Sequence, residues 1–207
     1  SQMGFQQGNI LEPSCGTGNF LGLLPADMAG SKTYGVELDS ISGRIAQQLY
    51  QNASISVNGF EKVQMPDSFF DVAVGNVPFG DFKVIDKRYD KHHWLIHDYF
   101  FGKTLDKVRP GGVIAFVTSK GTMDKENSAV RKYLAQRADL IGAIRLPLGS
   151  DKIEVFRRLI RPRTFINRTV RNMTGLTKED LRDKSPLDVI LPEFLDFVDP
   201  EDLVVGH

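Results

Sequence analysis

A glycine-rich turn near the start of the chain holds the first residues that could do chemistry. It reads Glu-Pro-Ser-Cys-Gly-Thr-Gly from Glu12, which places this acid four residues before Gly16 and six before Gly18. Glycines at a strand–helix junction allow positive φ and a close approach of the backbone to a ligand. An acid here suits a cationic ligand better than a diphosphate, whose charge it would repel. The turn predicts a ligand site, with a purely structural turn as the alternative.

Two common phosphate-binding patterns do not match this turn. A dinucleotide fingerprint needs a small residue where this chain has Leu21, and a P-loop needs a lysine that does not follow these glycines. Glu37 ends the next predicted strand, where a carboxylate can accept hydrogen bonds from ribose hydroxyls. The two acids together favour a cationic ligand that carries a ribose.

A second motif, Asn76-Val77-Pro78-Phe79, directly follows the apolar run 69–75. Asn76 Oδ1 and the Val77 carbonyl can each accept one hydrogen of an exocyclic amine, while Pro78 stiffens the backbone. Phe79 offers a flat face on which a base removed from its helix can stack. Two acceptors around an amine draw its lone pair out of conjugation, so the nitrogen becomes nucleophilic. The motif predicts a site that acts on an amino group, and an ordinary Pro-Phe loop is the alternative.

Both motifs need elements that hold them at one edge of a sheet. Up to residue 147, apolar residues alternate between strand and helix periods, which predicts an α/β chain with parallel strands. Ligands of such sheets bind at the carboxyl ends of the strands, where the strand order switches. The predicted strands are 9–12, 32–37, 55–57, 69–75, 113–118 and 140–146. Four helices are predicted, and the first and last cover residues 18–29 and 126–137. The second begins at a cap, Asp39 or Ser40, and carries Ile41, Ile45 and Leu49 on one face. The third carries Trp94, Phe101, Leu105 and Val108 and ends at Pro110-Gly111-Gly112.

Composition narrows the class of protein. The chain has 207 residues, enough for one domain with a short appendage. A single cysteine excludes a disulfide framework and a multi-cysteine zinc module, and it suits a reducing, cytoplasmic environment. No apolar run approaches the roughly 18 residues that span a bilayer, so we expect no membrane contact. The 26 acidic and 26 basic residues give zero net charge, so we expect the chain alone to bind nucleic acid weakly.

The neutral total hides two oppositely charged segments. Residues 155–178 carry seven basic side chains and no acid, whereas residues 179–207 carry nine acids and two bases. We therefore place a soft domain boundary near residue 150. It separates a core of residues 1–150 from a charged extension, 151–207, that is not an independent domain. The two charged segments can pair with each other, or the basic one can follow a phosphate backbone.

Three histidines and a basic loop are weaker candidates for function. His93 and His97 have helical spacing beside His92, but we interpret all three as loop and helix-start residues and predict no metal site. Cys15 is interpreted as a packing residue. The loop also carries side chains that can stack on bases or pair with phosphates, namely Phe82, Lys83, Lys87, Arg88, Tyr89 and Lys91.

These motifs resemble the class I methyltransferases that use S-adenosylmethionine (SAM), within the group that carries Asn-Pro-Pro-Tyr/Phe. More narrowly, the chain is similar to the adenine-N6 DNA methylase part of helicase–methylase proteins of bacterial mobile elements. The resemblance covers about residues 1–147, and its stretches follow the family's order. They are LEPSCGTGNF (11–20), YGVELD (34–39), NGFE (58–61), FFDVAVGNVPFG (69–80), KHHWLIHDYFF (91–101) and RPGGVIAFVTSKGTMDK (109–125).

The resemblance implies a Rossmann-like, mostly parallel sheet flanked by helices, with SAM as cofactor. The cofactor residues it implies are Glu12, Pro13, Gly16 and Gly18 at the methionine end, Glu37 at the ribose, Phe60 on the adenine and Asn58 near its polar edge. It also implies that a target adenine in DNA turns out of the duplex and is held by Asn76, Val77, Pro78 and Phe79. The N6 amine would then attack the methyl group of SAM in line.

The sequence departs from this family at three places. Val77 replaces the first proline of the motif, and the family's segment ahead of the first strand has no counterpart. After Pro147 no apolar strand is evident that would finish the sheet as a hairpin, so we expect the sheet to be incomplete at its last strand. We therefore expect a fragment, or a unit that depends on a helicase or specificity module in the same or another chain.

Other functions stay open at this point. The same turn could hold cytosine N4, an RNA base or a protein glutamine. The fold could also serve as a non-catalytic module of a larger assembly. A dinucleotide-dependent oxidoreductase is disfavoured by Leu21, and it would leave Asn76 and Phe79 without a role.

Overall fold

The computed structural model describes residues 5–119 and 129–139, three later strands and the single residues 182, 184, 185 and 189. The chain divides into two compact units, Ser1–Phe116 and Val117–His207. The boundary that we predict near residue 150 stays a prediction. None of the described helices is long and apolar enough to cross a membrane.

Five strands build the sheet of the first unit in the order β3-β2-β1-β4-β5. β1 pairs in parallel with both β2 and β4, and β2 pairs in parallel with β3. The strand order therefore reverses between β1 and β4, and the carboxyl ends of these two strands adjoin. This arrangement confirms the predicted Rossmann-like sheet. The strands are β1 (Asn9–Glu12), β2 (Lys32–Glu37), β3 (Ser54–Val57), β4 (Phe70–Asn76) and β5 (Val108–Ser119).

The prediction of one helix over residues 18–29 is wrong in length. Helix α1 covers only Asn19–Gly22, and a short 3₁₀ helix follows at Ala26–Met28. Pro25 stands immediately before the 3₁₀ helix. Proline has no N–H to donate and disfavours the helical conformation of the residue before it, so a continuous helix cannot pass this point.

Helix α2 (Ser40–Leu49) begins as predicted, because the Asp39 carboxylate accepts a hydrogen bond of 2.7 Å from the Ser42 backbone N–H. Its apolar face, however, is not the buried face. The helix buries Gly43 and Ala46, and a Cβ on Gly43 would stand 2.9 Å from a methyl group of Val57. Small residues therefore let α2 approach β3 closely. Three larger side chains stay exposed, namely Ile41, Ile45 and Leu49.

Helix α3 (Ile96–Lys107) starts two residues later than Trp94, after a 3₁₀ helix at Asp90–His92. Its buried face includes the aromatic rings of Tyr99 and Phe100. The predicted helix stop at Pro110-Gly111-Gly112 lies instead inside β5, which begins at Val108. Gly111 adopts φ +81°, a conformation that glycine tolerates within a strand without steric strain.

In the second unit, helix α4 (Ala129–Ala135) falls within the predicted helix 126–137. Strands β6 (Gly142–Leu146), β7 (Glu154–Arg157) and β8 (Leu203–Gly206) follow. β6 pairs antiparallel with both β7 and β8, and residues 117–119, which belong to the second unit, pair antiparallel with β8.

Strands β7 and β8 therefore follow Pro147, where the sequence showed no apolar strand. β7 reads Glu-Val-Phe-Arg, and its two apolar residues between charges are too short a signal for a strand. Most of the basic segment 155–178 and of the acidic segment 179–207 lies outside the described residues, and so does the predicted pairing between them.

Candidate functional site

The glycine turn after β1 has the backbone that only glycine adopts without strain. Gly16 has φ +54° and Gly18 has φ +89°. Glu37 at the end of β2 fixes the turn, because its two carboxylate oxygens accept hydrogen bonds from the Gly16 N–H at 2.7 Å and the Asp39 N–H at 2.8 Å. The predicted ribose acceptor therefore also holds the predicted ligand turn in place.

The two glycines have different surroundings. A Cβ on Gly18 would overlap the ring of Tyr50 at the end of α2. At Gly16, no atom of the described residues lies within 4 Å of the point where a Cβ would stand. Open space therefore lies beside Gly16, while Gly18 closes the turn against the protein.

Glu12 is the most unusual polar group of the turn. Its side chain is 1% exposed, and within the described part of the chain its Oε2 atom has no hydrogen-bond partner. Burial raises the pKa of Glu12 to about 8, a hydrogen bond from the Leu21 backbone opposes this shift, and repulsion by Glu37 adds to it. A buried acceptor without a donor is costly, so this position suits a ligand that brings a donor.

Two neighbours of Glu12, Pro13 and Cys15, are buried. Pro13 is fully buried, and its ring lies 3.6 Å from the position of a Cβ on Gly75, which keeps β1 and β4 in close contact. Cys15 is also buried, and burial, followed by repulsion from Glu12 and Glu37, raises the pKa of its thiol to about 12. The thiol is thus protonated at neutral pH and is not a nucleophile.

The Asn76 turn lies beside the glycine turn. Asn76 is the last residue of β4 and is exposed, Val77 is buried, and Phe79 is 52% exposed. The Ser14 hydroxyl donates a hydrogen bond of 2.7 Å to the Asn76 backbone carbonyl, which joins the two turns directly. Sequence reasoning missed Ser14, because a serine in a turn carries no signal for a partner 62 residues away.

Two predicted cofactor residues after β3 have different positions. Asn58 is exposed, whereas Phe60 is 3% exposed and packs on Phe100 with 5.0 Å between ring centroids. The Lys103 ammonium lies 4.8 Å from the Phe60 ring and donates to its backbone carbonyl at 2.7 Å. Phe60 is thus part of the core, and its contact with a cofactor adenine stays a prediction.

Leu38 is a candidate that sequence reasoning missed. It directly follows Glu37 at the end of β2, and its side chain is largely exposed. An exposed apolar side chain beside the predicted ribose acceptor, Glu37, offers the kind of surface that Phe60 does not present. The available signal was an apolar residue immediately after the acid that ends the strand.

The loop between the Asn76 turn and α3 is anchored by Asp86. The Asp86 carboxylate accepts hydrogen bonds from the Tyr99 hydroxyl at 2.7 Å and from Lys103 Nζ at 3.0 Å. Although burial acts to raise the pKa of Asp86, these bonds outweigh it and lower the pKa. Burial also lowers the pKa of Lys103. One buried ion pair therefore fastens the loop to α3.

Two residues predicted to contact nucleic acid also make contacts within the fold. Arg88 bonds to Asp67 at 3.0 Å and to Asp106 at 2.7 Å, and Tyr89 is buried with its hydroxyl 2.8 Å from Asp106. Five of the six predicted contact residues are exposed, namely Phe82, Lys83, Lys87, Arg88 and Lys91.

The histidine cluster is dispersed. The His92 ring stacks on Trp94 with 4.2 Å between centroids, and His97 is buried within α3. Among residues 5–119 and 129–139, no three His, Cys, Asp or Glu side chains are grouped so that they could hold a metal ion.

Parts of this chain are similar in sequence to known proteins. Over 153 residues it is 37% identical to "Defense against restriction protein B" of Escherichia phage P1, covering 71% of this chain and 7% of that protein. Over 75 residues it is 37% identical to the type II methyltransferase M.CvrRI of Paramecium bursaria Chlorella virus XZ-6E, covering 36% of this chain and 19% of the enzyme. The chain thus spans a small part of both relatives. No family model matches it.

The fold also has a counterpart among solved structures. A protein of Listeria monocytogenes, solved as a class I SAM-dependent methyltransferase, superposes with a TM-score of 0.59 at 19% identity. The match covers 74% of this chain and 54% of that protein. Together with the strand order β3-β2-β1-β4-β5, this similarity shows that the chain has the class I methyltransferase fold.

Proposed function

We propose that this chain is the core of a SAM-dependent methyltransferase that acts on the N6 amine of adenine in DNA. One observation carries the proposal: the glycine turn and the Asn76 turn lie side by side at the switch in strand order, joined by the hydrogen bond from Ser14 to Asn76. A site for a cationic nucleoside and a site for an amine thus share one edge of the sheet.

The residues of the glycine turn fit SAM. The unpartnered Oε2 of Glu12 is an acceptor for the ammonium group of the methionine part, and the space at Gly16 admits a ligand close to the backbone. Glu37 keeps lone pairs for ribose hydroxyls, and Leu38 offers apolar surface for an adenine ring. Gly18, Pro13, Phe60 and Asn58 complete the proposed set. Bound SAM supplies a methyl group activated by the adjacent sulfonium.

The Asn76 turn would hold and activate the target amine. Asn76 Oδ1 and the Val77 carbonyl accept the two amine hydrogens, and the exposed ring of Phe79 stacks on the extruded base. Burial of the Val77 side chain and the ring of Pro78 fix the direction of that carbonyl. With SAM held at the glycine turn, these residues would orient the amine nitrogen toward the methyl group that the cofactor supplies, and the proton that the amine gives up would pass to water.

A labelled methyl-transfer assay tests both the reaction and its target. Radiolabelled SAM is offered with DNA, RNA or protein to the wild-type chain and to the Asn76→Ala variant, after calorimetry has measured SAM binding. We expect label on adenine in DNA that the variant does not transfer. Label on protein alone would overturn the DNA target.

A second candidate function is a non-catalytic methyltransferase-fold module of a larger assembly. It is favoured by the 7% share of the phage P1 relative that this chain spans. SAM binding at micromolar concentration without transfer to any substrate would support it. We propose that a helicase or a specificity module, in the same or another chain, then supplies DNA recognition. The reason is that a chain of zero net charge binds DNA weakly by itself.

A further inference from the structure

Two exposed apolar side chains stand in the loop between the Asn76 turn and α3. Phe82 is 55% exposed and Ile85 is 84% exposed, and we call this pair the apolar ridge. Phe79, three residues before Phe82, is exposed as well. Isolated apolar residues are normal on a protein surface, but three within seven residues at a candidate site suggest a contact surface.

The ridge is held in place at both of its ends. The Phe82 backbone carbonyl accepts a hydrogen bond of 2.9 Å from the Ile96 N–H at the start of α3. Directly after Ile85, the Asp86 carboxylate bonds to Tyr99 and Lys103. An apolar ring on an anchored loop loses little conformational entropy when it contacts a partner.

The Phe82 ring lies next to the Asn76 turn. A Cβ on Gly80 would stand 2.8 Å from Phe82 Cε1, so the ring covers Gly80, the residue after Phe79. The absence of a side chain at Gly80 therefore permits this ring position. The exposed ring therefore stands beside the residues that we propose to hold the target base.

Basic side chains flank the ridge. Lys83 and Lys87 are exposed next to Phe82 and Ile85, whereas the Arg88 guanidinium is engaged by Asp67 and Asp106. Asp81 is also exposed and reduces the local positive charge. The charge pattern suits the phosphates on either side of an inserted ring, but it is too weak to act as the main source of affinity.

We propose that the apolar ridge opens the DNA duplex: Phe82 enters the base stack where the target adenine has left it, and Lys83 and Lys87 contact the flanking phosphates. This inference rests on the proposed function. Turning a base out of a duplex costs stacking and pairing, and an apolar wedge in the vacated space offsets part of that cost. Phe82 would thus determine whether duplex DNA is a substrate, while Phe79 and Asn76 serve any strand.

A comparison of duplex and single-stranded substrate tests the wedge. Unmethylated genomic DNA, native or heat-denatured, is used because it needs no knowledge of a recognition sequence. We expect Phe82→Ala to lower kcat/KM on native DNA by about tenfold or more, with less than about a twofold change on denatured DNA. Phe82→Leu, which keeps an apolar side chain, should retain most of the duplex activity. Leu49→Ala removes an equally exposed apolar side chain from α2 and should change neither activity.

The outcomes separate the two proposals. Equal losses of Phe82→Ala on native and denatured DNA, with unchanged thermal unfolding, overturn the wedge and leave the proposed function standing. A wild-type chain that binds SAM but methylates neither form of DNA overturns the proposed function, and the wedge with it. If Phe82→Ala unfolds at a lower temperature, the folded Phe82→Leu variant decides, because a structural role predicts equal changes on both substrates.

Discussion

The turn after β1 and the turn after β4 lie at the same edge of the sheet but are built in opposite ways. The glycine turn encloses a buried carboxylate, Glu12, and depends on two residues with positive φ. The Asn76 turn and the apolar ridge expose an amide and three apolar side chains. The difference agrees with the proposed roles of the two turns, a small charged ligand at the first and a large flat one at the second. Changes to each should therefore have separable effects.

The largest effect is expected for a substitution in the Asn76 turn, where we place the target amine. Asn76→Ala removes an acceptor that we place on the reacting amine, so kcat should fall about 100- to 1,000-fold, as when one preorganised polar group is lost from an active site. SAM affinity should stay within about twofold, because Asn76 is not in the glycine turn. Single-turnover methyl transfer and calorimetry measure the two quantities. Equal losses in both would remove the distinction between the two turns.

The next largest effect is expected for substitutions in the glycine turn, which should weaken SAM binding. Gly18→Ala forces a side chain into a left-handed backbone and against Tyr50, whereas Gly16→Ala meets only the backbone strain. Such strain costs about 1–3 kcal/mol. We expect Gly18→Ala to weaken SAM binding by about 10- to 100-fold and to lower the temperature of unfolding. Gly16→Ala should unfold closer to wild type, and calorimetry with a thermal scan compares the pair.

The pH dependence of SAM affinity tests the role of Glu12. An ammonium group pairs with the carboxylate, and the pKa of free Glu12 is about 8, so SAM binding must release a proton below that pH. Affinity should rise by up to about tenfold per pH unit from pH 6 toward 8 and fall again above pH 8, where the ammonium group itself loses its proton. Glu12→Gln should lose this dependence, whereas Glu37→Gln should keep it. A flat profile for wild type would argue against an ion pair at Glu12.

Stability gives an independent measure of the same group. The pKa of Glu12 in the folded chain is raised above its unfolded value of about 4.5, so the folded state holds the proton more tightly. Stability from this group is fully present below pH 4.5 and is lost as pH rises through 8. Glu12→Gln should therefore gain stability relative to wild type between pH 5 and pH 8, as denaturant unfolding at the two pH values would show.

The smallest expected effect concerns the link between the turns. Ser14→Ala removes one exposed hydrogen bond, worth at most about 0.5–1.5 kcal/mol. Methyl transfer should fall a few-fold without a change in SAM affinity, because only the alignment of the Asn76 turn is loosened. Ser14→Thr keeps the hydroxyl and should restore most of the rate. An unchanged rate in Ser14→Ala would show that strand pairing alone aligns the turns.

The regular elements of the first unit followed from local patterns in the sequence. β1 and β2 occupy the predicted residues, because strand periodicity and the residues at their ends agree. α1 does not, because Pro25 interrupts a pattern that otherwise continues. The apolar face of α2 also misled prediction, since Gly43 and Ala46 pack on the sheet while Ile41, Ile45 and Leu49 stay exposed.

The candidate site also combines features that local patterns predict with contacts that they do not predict. Residue types and spacing by themselves determined that Gly16 and Gly18 allow positive φ, that Glu12 and Glu37 are acids at strand ends, and that Asn76 offers acceptors after an apolar strand. Three features became apparent only in the tertiary structure. Ser14 donates a hydrogen bond to Asn76, and Phe60 and Tyr89 are buried. Arg88 forms ion pairs with Asp67 and Asp106. The reason is physical: backbone preference and side-chain chemistry are local, whereas burial and pairing depend on strand order and on residues distant in the chain.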